Sequence, residues 1–386
     1  MMGILDSKTI IITGGSVGIG SVVANKCASE GAEVIIVARN KKDLDSSLNN
    51  LKTISDKNHR SYSLDVKDLN AIKAFANWLE NEGLIINGLV NCAGVYGPIG
   101  KTTDVDMDKF TETININFLG TVYMCNMIAP FMKNNSHNKI INYSGGGAAS
   151  PFPHYSAYAT SKVAIVRFTE NLSMELEDEG YDINCIAPGF VITRLHNNTI
   201  EAGPDSAGRA FFENTRKQVK DGAIPPEKAA ELTIFLLSDD SNGINGKFLS
   251  APWDPWQNKS FQEQLKIDND LATLRRIDEK YFKKFLSLYK QTEYFINSTK
   301  IIKLLDDARS ILDENDNFVK NELNITNKKD LIPNFLDYLI QHIDKKINVV
   351  EPFQFTSEGD DAWWCGHIQL ILQNPALPSN CAEALI

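Results

Sequence analysis

This sequence lacks a long uncharged apolar run, a basic cluster, a paired-cysteine motif and an internal repeat, and each absence removes a class of protein. A membrane-spanning helix needs about 20 predominantly apolar residues in a row. With no such run present, no membrane partner is expected. Lysines and arginines number 39 against 49 aspartates and glutamates, a formal charge of −10, so no nucleic-acid partner is expected either. The six cysteines, Cys27, Cys92, Cys125, Cys185, Cys365 and Cys381, have no C-x-x-C spacing. They read as free thiols in a reducing compartment and not as a zinc site. The first strand-like run begins at Thr9 without a charged, apolar and cleavable leader pattern ahead of it, so a cytoplasmic location is expected. What remains is an ordinary globular composition, 43% hydrophobic and 23% charged over 386 residues, which suits two domains or one large domain with an extension.

Two motifs stand out against that background. Thr9-Ile10-Ile11-Ile12 is a β-branched run suited to a buried parallel strand, and the Gly-rich turn Thr13-Gly14-Gly15-Ser16-Val17-Gly18-Ile19-Gly20 follows it directly. A helix is expected from about Ser21 to Ser29, stopped by Gly31-Ala32, and Glu33 to Ala38 forms the next strand. This βαβ unit places a turn at a helix N-terminus, where backbone N–H groups bind phosphate. In it, Gly14 permits the tight turn, Gly18 lets the backbone approach a pyrophosphate, and Gly20 allows close helix–strand packing. The second motif is Tyr158-Ala159-Thr160-Ser161-Lys162. A spacing of four puts the phenol and the ammonium on one helix face. A cation that close lowers a phenol's pKa from about 10 by roughly 1 to 3 pH units, the tuning a general acid/base needs.

With Asn91-Cys92-Ala93-Gly94, Asn117 and Pro188-Gly189 in order between and after these motifs, the stretch from about residue 5 to 256 resembles the short-chain dehydrogenase/reductases. The resemblance implies an α/β fold, a Rossmann-type doubly wound parallel sheet of about seven strands. It implies an oxidoreductase that interconverts a secondary alcohol and a ketone by hydride transfer. Tyr158 would be the acid/base, and Lys162 would tune it and hold the nicotinamide ribose. Asn117 would support a water in a proton relay, and Asn115 is the weaker candidate because the family has glycine three residues after the active asparagine, here Gly120. The resemblance further assigns cofactor contacts to Thr13, Gly14, Ser16, Gly18, Ile19, Gly20, Asp65, Asn91, Ala93, Gly94, Pro188, Gly189, Val191 and Thr193. It implies a homodimer or homotetramer built on the helices near 117–132 and 158–176.

Cofactor choice follows from the end of the second strand. An acidic residue there would accept hydrogen bonds from the ribose of NAD, but the strand ends in Ala38 and is followed by Arg39, whose guanidinium suits a 2′-phosphate. NADP is expected over NAD. The resemblance also implies a substrate-binding serine thirteen residues before Tyr158, but that position is Gly145, with Ser144 one residue away. Two alternatives stay open: a local shift in Gly145-Gly146-Gly147 brings the Ser144 hydroxyl into place, or the glycine N–H groups polarise the carbonyl. The resemblance implies that the substrate, a small alcohol or carbonyl compound, sits against the loop after the fifth strand and the segment after Pro188-Gly189, which would place His154, Tyr155, Phe190 and His196 around it, with the second segment as a lid.

The dehydrogenase pattern ends near Trp256, with Trp253 and Trp256 expected at the active-site mouth or a subunit contact. Residues 257–386 form a mainly helical extension in this reading, with Trp363, Trp364, Cys365 and His367 in a tail of distinct composition. An alternative function is a weakly catalytic nucleotide sensor or scaffold on the same fold, acting through that extension.

Overall fold

The computed structural model describes residues 3–132, 137–276, 347–351 and 369–372. Their first compact unit, Met1–Leu274, is built on seven parallel strands: β1 (Thr9–Thr13), β2 (Glu33–Ala38), β3 (Arg60–Ser63), β4 (Gly88–Asn91), β5 (Asn138–Tyr143), β6 (Tyr181–Ala187) and β7 (Phe248–Ser250). Their order in the sheet is β3-β2-β1-β4-β5-β6-β7. The chain winds outward from β1 to β3, returns to β4 beside β1, and winds outward again. The reversal opens a crevice at the C-terminal ends of β1 and β4, where α/β sheets bind their ligands.

The apolar strand runs follow from burial on both faces. Ile10, Ile12, Val34 and Ile36 point to one side, where α1 (Gly18–Ser29), α2 (Lys41–Ile54) and α9 (Pro226–Leu237) cover them. Ile11, Ile35 and Val37 point to the other, against α3 (Leu69–Asn81) and α5 (Gly120–Ile128). Each such side chain, fully buried, contributes about 1.5–3 kcal/mol. Local signals fix the helix starts: Asn40 accepts from the Asp43 N–H, and Asp68 accepts from the Asn70 and Ala71 N–H groups.

Helix α4 (Met107–Ile114) runs into α5 through one π turn, Asn115–Leu119, in which the Gly120 N–H reaches back to the Asn115 carbonyl. The extra residue widens the helix at Asn117. Helix α6 (Ser156–Glu175) carries the Tyr158 motif, and α7 (Arg194–Ala207) with α8 (Arg209–Asp221) forms a helical pair after β6. Among the described residues no helix is long and apolar enough to cross a membrane.

Three expectations change. Helix α1 starts at Gly18, not near Ser21, because the glycines that weaken helical propensity in the sequence are its first turn. Trp256 is core: its indole N–H donates to the Ala251 carbonyl at 3.1 Å and its ring stacks on Phe235 at 5.6 Å. The boundary expected at 256 falls inside the first unit, since α10 (Lys259–Ile267) buries Leu265 in the same core that holds Leu249. The helical expectation for 277–346 and the Trp363, Trp364, Cys365 and His367 cluster lie outside the described residues. In the second unit, β8 (Ile347–Glu351) and β9 (Gln369–Leu372) pair antiparallel.

Candidate active site

The Gly-rich turn sits at the crevice between β1 and β4. Gly14 adopts φ +65° and its N–H donates to the Val37 carbonyl at 2.8 Å; a Cβ there would stand 3.0 Å from the Ala93 backbone. At Gly20 a Cβ would stand 2.3 Å from the Gly14 carbonyl oxygen, so helix and turn pack backbone to backbone. Thr13, buried, accepts from the Cys92 and Ala93 N–H groups at 3.1 and 3.2 Å and ties β1 to the loop after β4. Val17 gives α1 no side-chain cap. The half-buried Ser16 and Ile19 and the exposed Gly18 therefore line a bare helix N-terminus, and these features fit a pyrophosphate.

At the end of β2, Arg39 meets Asp65 at 3.5 Å, with the guanidinium more than half exposed. The two adenosine-side candidates are thus brought together. Asn91 is buried: its amide donates to Asn142 at 2.9 Å while its carbonyl oxygen has no partner. It braces β4 against β5 from inside the core. The next residues reach the reaction end of the crevice, where a Cβ on Gly94 would stand 3.3 Å from Asn117 Oδ1 and 3.5 Å from Lys162 Nζ.

Asn117, Tyr158 and Lys162 converge there, all buried. Asn117 clamps Val95 from both sides: Oδ1 accepts from its N–H at 2.8 Å and Nδ2 donates to its carbonyl at 2.9 Å. Nδ2 also donates to Ser161, whose hydroxyl donates to the Tyr158 carbonyl at 2.6 Å. Lys162 Nζ lies 5.5 Å from the Tyr158 ring centroid and donates to the Tyr143 carbonyl at 2.8 Å. Burial pulls the Lys162 ammonium down to about 8 and pushes the Tyr158 phenol above its ordinary value. The lowering expected of Tyr158 from the lysine charge does not emerge in this site: burial, and after it the neighbouring Cys92, raise the phenol.

Ser144 and Gly145 divide as the residue count suggested. The Ser144 hydroxyl donates to the Lys162 carbonyl at 2.9 Å and is 3% exposed, so it fastens the end of β5 to α6. Gly145 faces Tyr158: a Cβ there would stand 2.4 Å from the Tyr158 hydroxyl oxygen. The expected local shift does not bring Ser144 to that place.

Comparison with known proteins places the chain: the family model for short chain dehydrogenase matches residues 8–203. The chain belongs to the short-chain dehydrogenase family. The uncharacterized oxidoreductase YxbG of Bacillus subtilis is 31% identical over 251 residues, 65% of this chain and 91% of that protein. Levodione reductase of Leifsonia aquatica is 28% identical over 244 residues, 62% of this chain and 90% of that protein. A crystal structure of levodione reductase superimposes with a TM-score of 0.59 at 25% identity, covering 66% of this chain and 98% of that one. This short-chain dehydrogenase is accordingly an NAD(P)-dependent oxidoreductase in fold and general mechanism.

The surroundings of Tyr158 are aromatic. Tyr96, Tyr155 and Tyr158 form one buried cluster with Phe152, Leu195, Phe211 and Phe212 packed against it. Phe152 stacks on Tyr155 at 4.3 Å, and Phe190 lies against His196 at 4.3 Å. Of the residues expected from the sequence to meet the substrate, Tyr155 lies in this cluster and His196 packs edge-on against its Tyr96. Tyr96, Phe152, Phe211 and Phe212 join the same cluster and were not singled out in the sequence, since nothing local marks an aromatic residue as meeting segments so far away along the chain. His154, at φ +71°, packs against Gly208, and its buried Nδ1 has no partner.

After β6, Pro188 and Gly189 turn the chain, and a Gly189 Cβ would stand 2.6 Å from Ile224. Val191 is buried, and Thr193 caps α7 in a reciprocal box with His196. The Thr193 methyl lies about where a Gly18 Cβ would touch it, at 3.7 Å, so this segment closes over the Gly-rich turn. Left-handed Gly203, Gly208 and Gly222 interrupt and bound α7 and α8.

Proposed function

We propose that this dehydrogenase interconverts a secondary alcohol and a ketone with NADP as the preferred dinucleotide. The observation that carries the reading is the convergence of Tyr158, Lys162 and Asn117 beside Gly94, at the open end of the crevice that begins at the Gly-rich turn. The bound nicotinamide supplies a hydride in reduction and takes one in oxidation. In reduction, the Tyr158 hydroxyl gives its proton to the substrate oxygen; in oxidation, it takes that proton back. Burial holds the proton on Tyr158 until an oxyanion develops beside it. Lys162 sets the local charge, and Asn117 keeps Val95 and Ser161 in place around both.

Thr13, Gly14, Ser16, Gly18, Ile19 and Gly20 hold the pyrophosphate side, and Arg39 with Asp65 the adenosine side. Asn91, Ala93, Gly94, Pro188, Gly189, Val191 and Thr193 frame the ribose and nicotinamide. Arg39 supports NADP because the end of β2 offers a cation with more than half its surface in solvent. The aromatic wall suits a ring-bearing ketone or alcohol, in keeping with the likeness to a levodione reductase. A cytoplasmic homodimer or homotetramer assembled on α5 and α6 completes the proposal.

Tyr158→Phe tests it. Turnover is expected to fall by about 10²–10⁴-fold while NADPH still binds, as measured by cofactor fluorescence and by consumption of NADPH with carbonyl substrates. Unchanged turnover would remove Tyr158 from the chemistry. NADPH binding with no turnover of any carbonyl by the unaltered chain would favour the sensor reading, which Gly145 in the serine position also favours.

A further inference from the structure

The site described above has a gap in its hydrogen-bond donors. A carbonyl oxygen that takes the Tyr158 proton is stabilised by a second donor aimed at the developing negative charge. At the place where the family pattern puts a serine, Gly145 has no side chain, and the Ser144 hydroxyl is spent on the Lys162 carbonyl at 2.9 Å. Besides the backbone N–H groups of Gly145, Gly146 and Gly147, the aromatic cluster around Tyr158 offers a side-chain donor.

Tyr96 is fixed close by. It follows Val95, whose N–H and carbonyl are both held by Asn117, so its backbone cannot drift from the catalytic helix. Its ring stands perpendicular to that of Tyr158 at 4.8 Å between centroids and perpendicular within 20° to that of Tyr155 at 5.3 Å. Its hydroxyl is 3.1 Å from His196 Nε2.

The direction of that hydrogen bond decides what the Tyr96 proton can do. His196 Nδ1 accepts the Thr193 N–H at 3.3 Å. An imidazole whose Nδ1 is an acceptor carries its single proton on Nε2 when neutral. Burial pulls His196 down to about 4, so the ring is neutral in ordinary conditions. His196 therefore donates from Nε2, the Tyr96 oxygen accepts, and the Tyr96 O–H remains as a donor aligned by the bond it receives.

Resting on the assignment of Tyr158 as acid/base, we propose that Tyr96 donates a second hydrogen bond to the substrate oxygen, replacing the serine, and that His196 is the positioning residue that turns the Tyr96 proton toward the substrate. The arrangement also links the two ends of the crevice. The Thr193 backbone that sets the His196 tautomer belongs to the segment lying over Gly18.

Tyr96→Phe removes one oxygen and keeps the ring. With NADPH and a cyclic ketone that the unaltered chain reduces, kcat is expected to fall by about 10²-fold with KM and the NADPH dissociation constant nearly unchanged, because the bond strengthens as the oxyanion forms. A kcat within twofold of the unaltered chain overturns the proposal. Tyr158→Phe run beside it separates the two claims: if Tyr158→Phe keeps turnover, the acid/base reading fails whatever Tyr96→Phe does. His196→Gln and His196→Leu supply a second test should Tyr96→Phe fold poorly. Gln can accept the Thr193 N–H and donate to Tyr96, so kcat should recover at least tenfold relative to Leu. Equal kcat in the two variants overturns the positioning role.

Discussion

Gly145→Ser restores the residue that the family pattern calls for at this position, yet the structure requires it to damage the enzyme. A Cβ built on Gly145 lies 2.4 Å from the Tyr158 hydroxyl oxygen and 3.4 Å from Cζ, before any serine hydroxyl is added. Ordinary contact begins near 3.4 Å, so the phenol oxygen has to move by about 1 Å. The ring has little room to give, since Tyr158 is 8% exposed with Tyr96 edge-on at 4.8 Å. Misplacing a reacting group by 1 Å costs on the order of 10²-fold in rate, and overpacking a core site costs about 1–3 kcal/mol in stability. The expected result is kcat/KM down by about 10²-fold for ketone reduction, with a thermal midpoint lower by a few degrees and NADPH binding retained. Gly145→Ala should share the defect, because the Cβ and not the hydroxyl causes it. Activity in Gly145→Ser equal to or above that of the unaltered chain would refute this placement of Tyr158 and return the serine role to the β5–α6 loop.

Other substitutions probe the remaining assignments. Ser144→Ala deletes a bond to the Lys162 carbonyl, so stability should fall by about 1 kcal/mol in denaturant titration while kcat stays within a few fold; a 10²-fold loss at unchanged stability would put Ser144 back in the chemistry. Arg39→Ala should weaken NADPH binding by about 10–100-fold and leave NADH nearly unaffected in parallel fluorescence titrations, and equal effects on both would remove Arg39 from cofactor selection. Asp254, which accepts the Ser250 N–H at 2.7 Å, is raised by burial from 3.8 to about 6. Its folded pKa lies above its unfolded one, so its contribution to stability is complete below pH 3.8 and is lost as the pH rises through 6. Asp254→Asn keeps an acceptor and cannot ionise. It should stabilise the fold by up to about 3 kcal/mol at pH 7.5 and by little at pH 4, and a pH-independent change in melting temperature would contradict this.

Much of the site was legible in one dimension because its signals are local. The β-branched run before Thr13, the glycines of the turn and the four-residue spacing of Tyr158 and Lys162 each follow from backbone geometry within one or two turns of chain. Domain extent was less legible. Leu265 joins the core through a helix whose amphipathic pattern looks the same whether it packs on the sheet or elsewhere. Trp256 likewise reads as a site-mouth or subunit-contact residue until the fold brings Phe235 beside it.

The sequence by itself determined the alternating α/β order, the phosphate-binding turn, the Tyr158–Lys162 pair and the phase of the serine count that lands on Gly145. Tertiary structure alone decided that the Ser144 hydroxyl belongs to the Lys162 carbonyl, that the Tyr158 oxygen fills the space over Gly145, and that Tyr96 and His196 meet across the wall. The reason is range. Periodicity and turn chemistry are set by neighbours a few residues away, whereas a hydroxyl's partner or a ring's position depends on which distant segments the packed sheet brings within 3 or 4 Å, and no single segment encodes that.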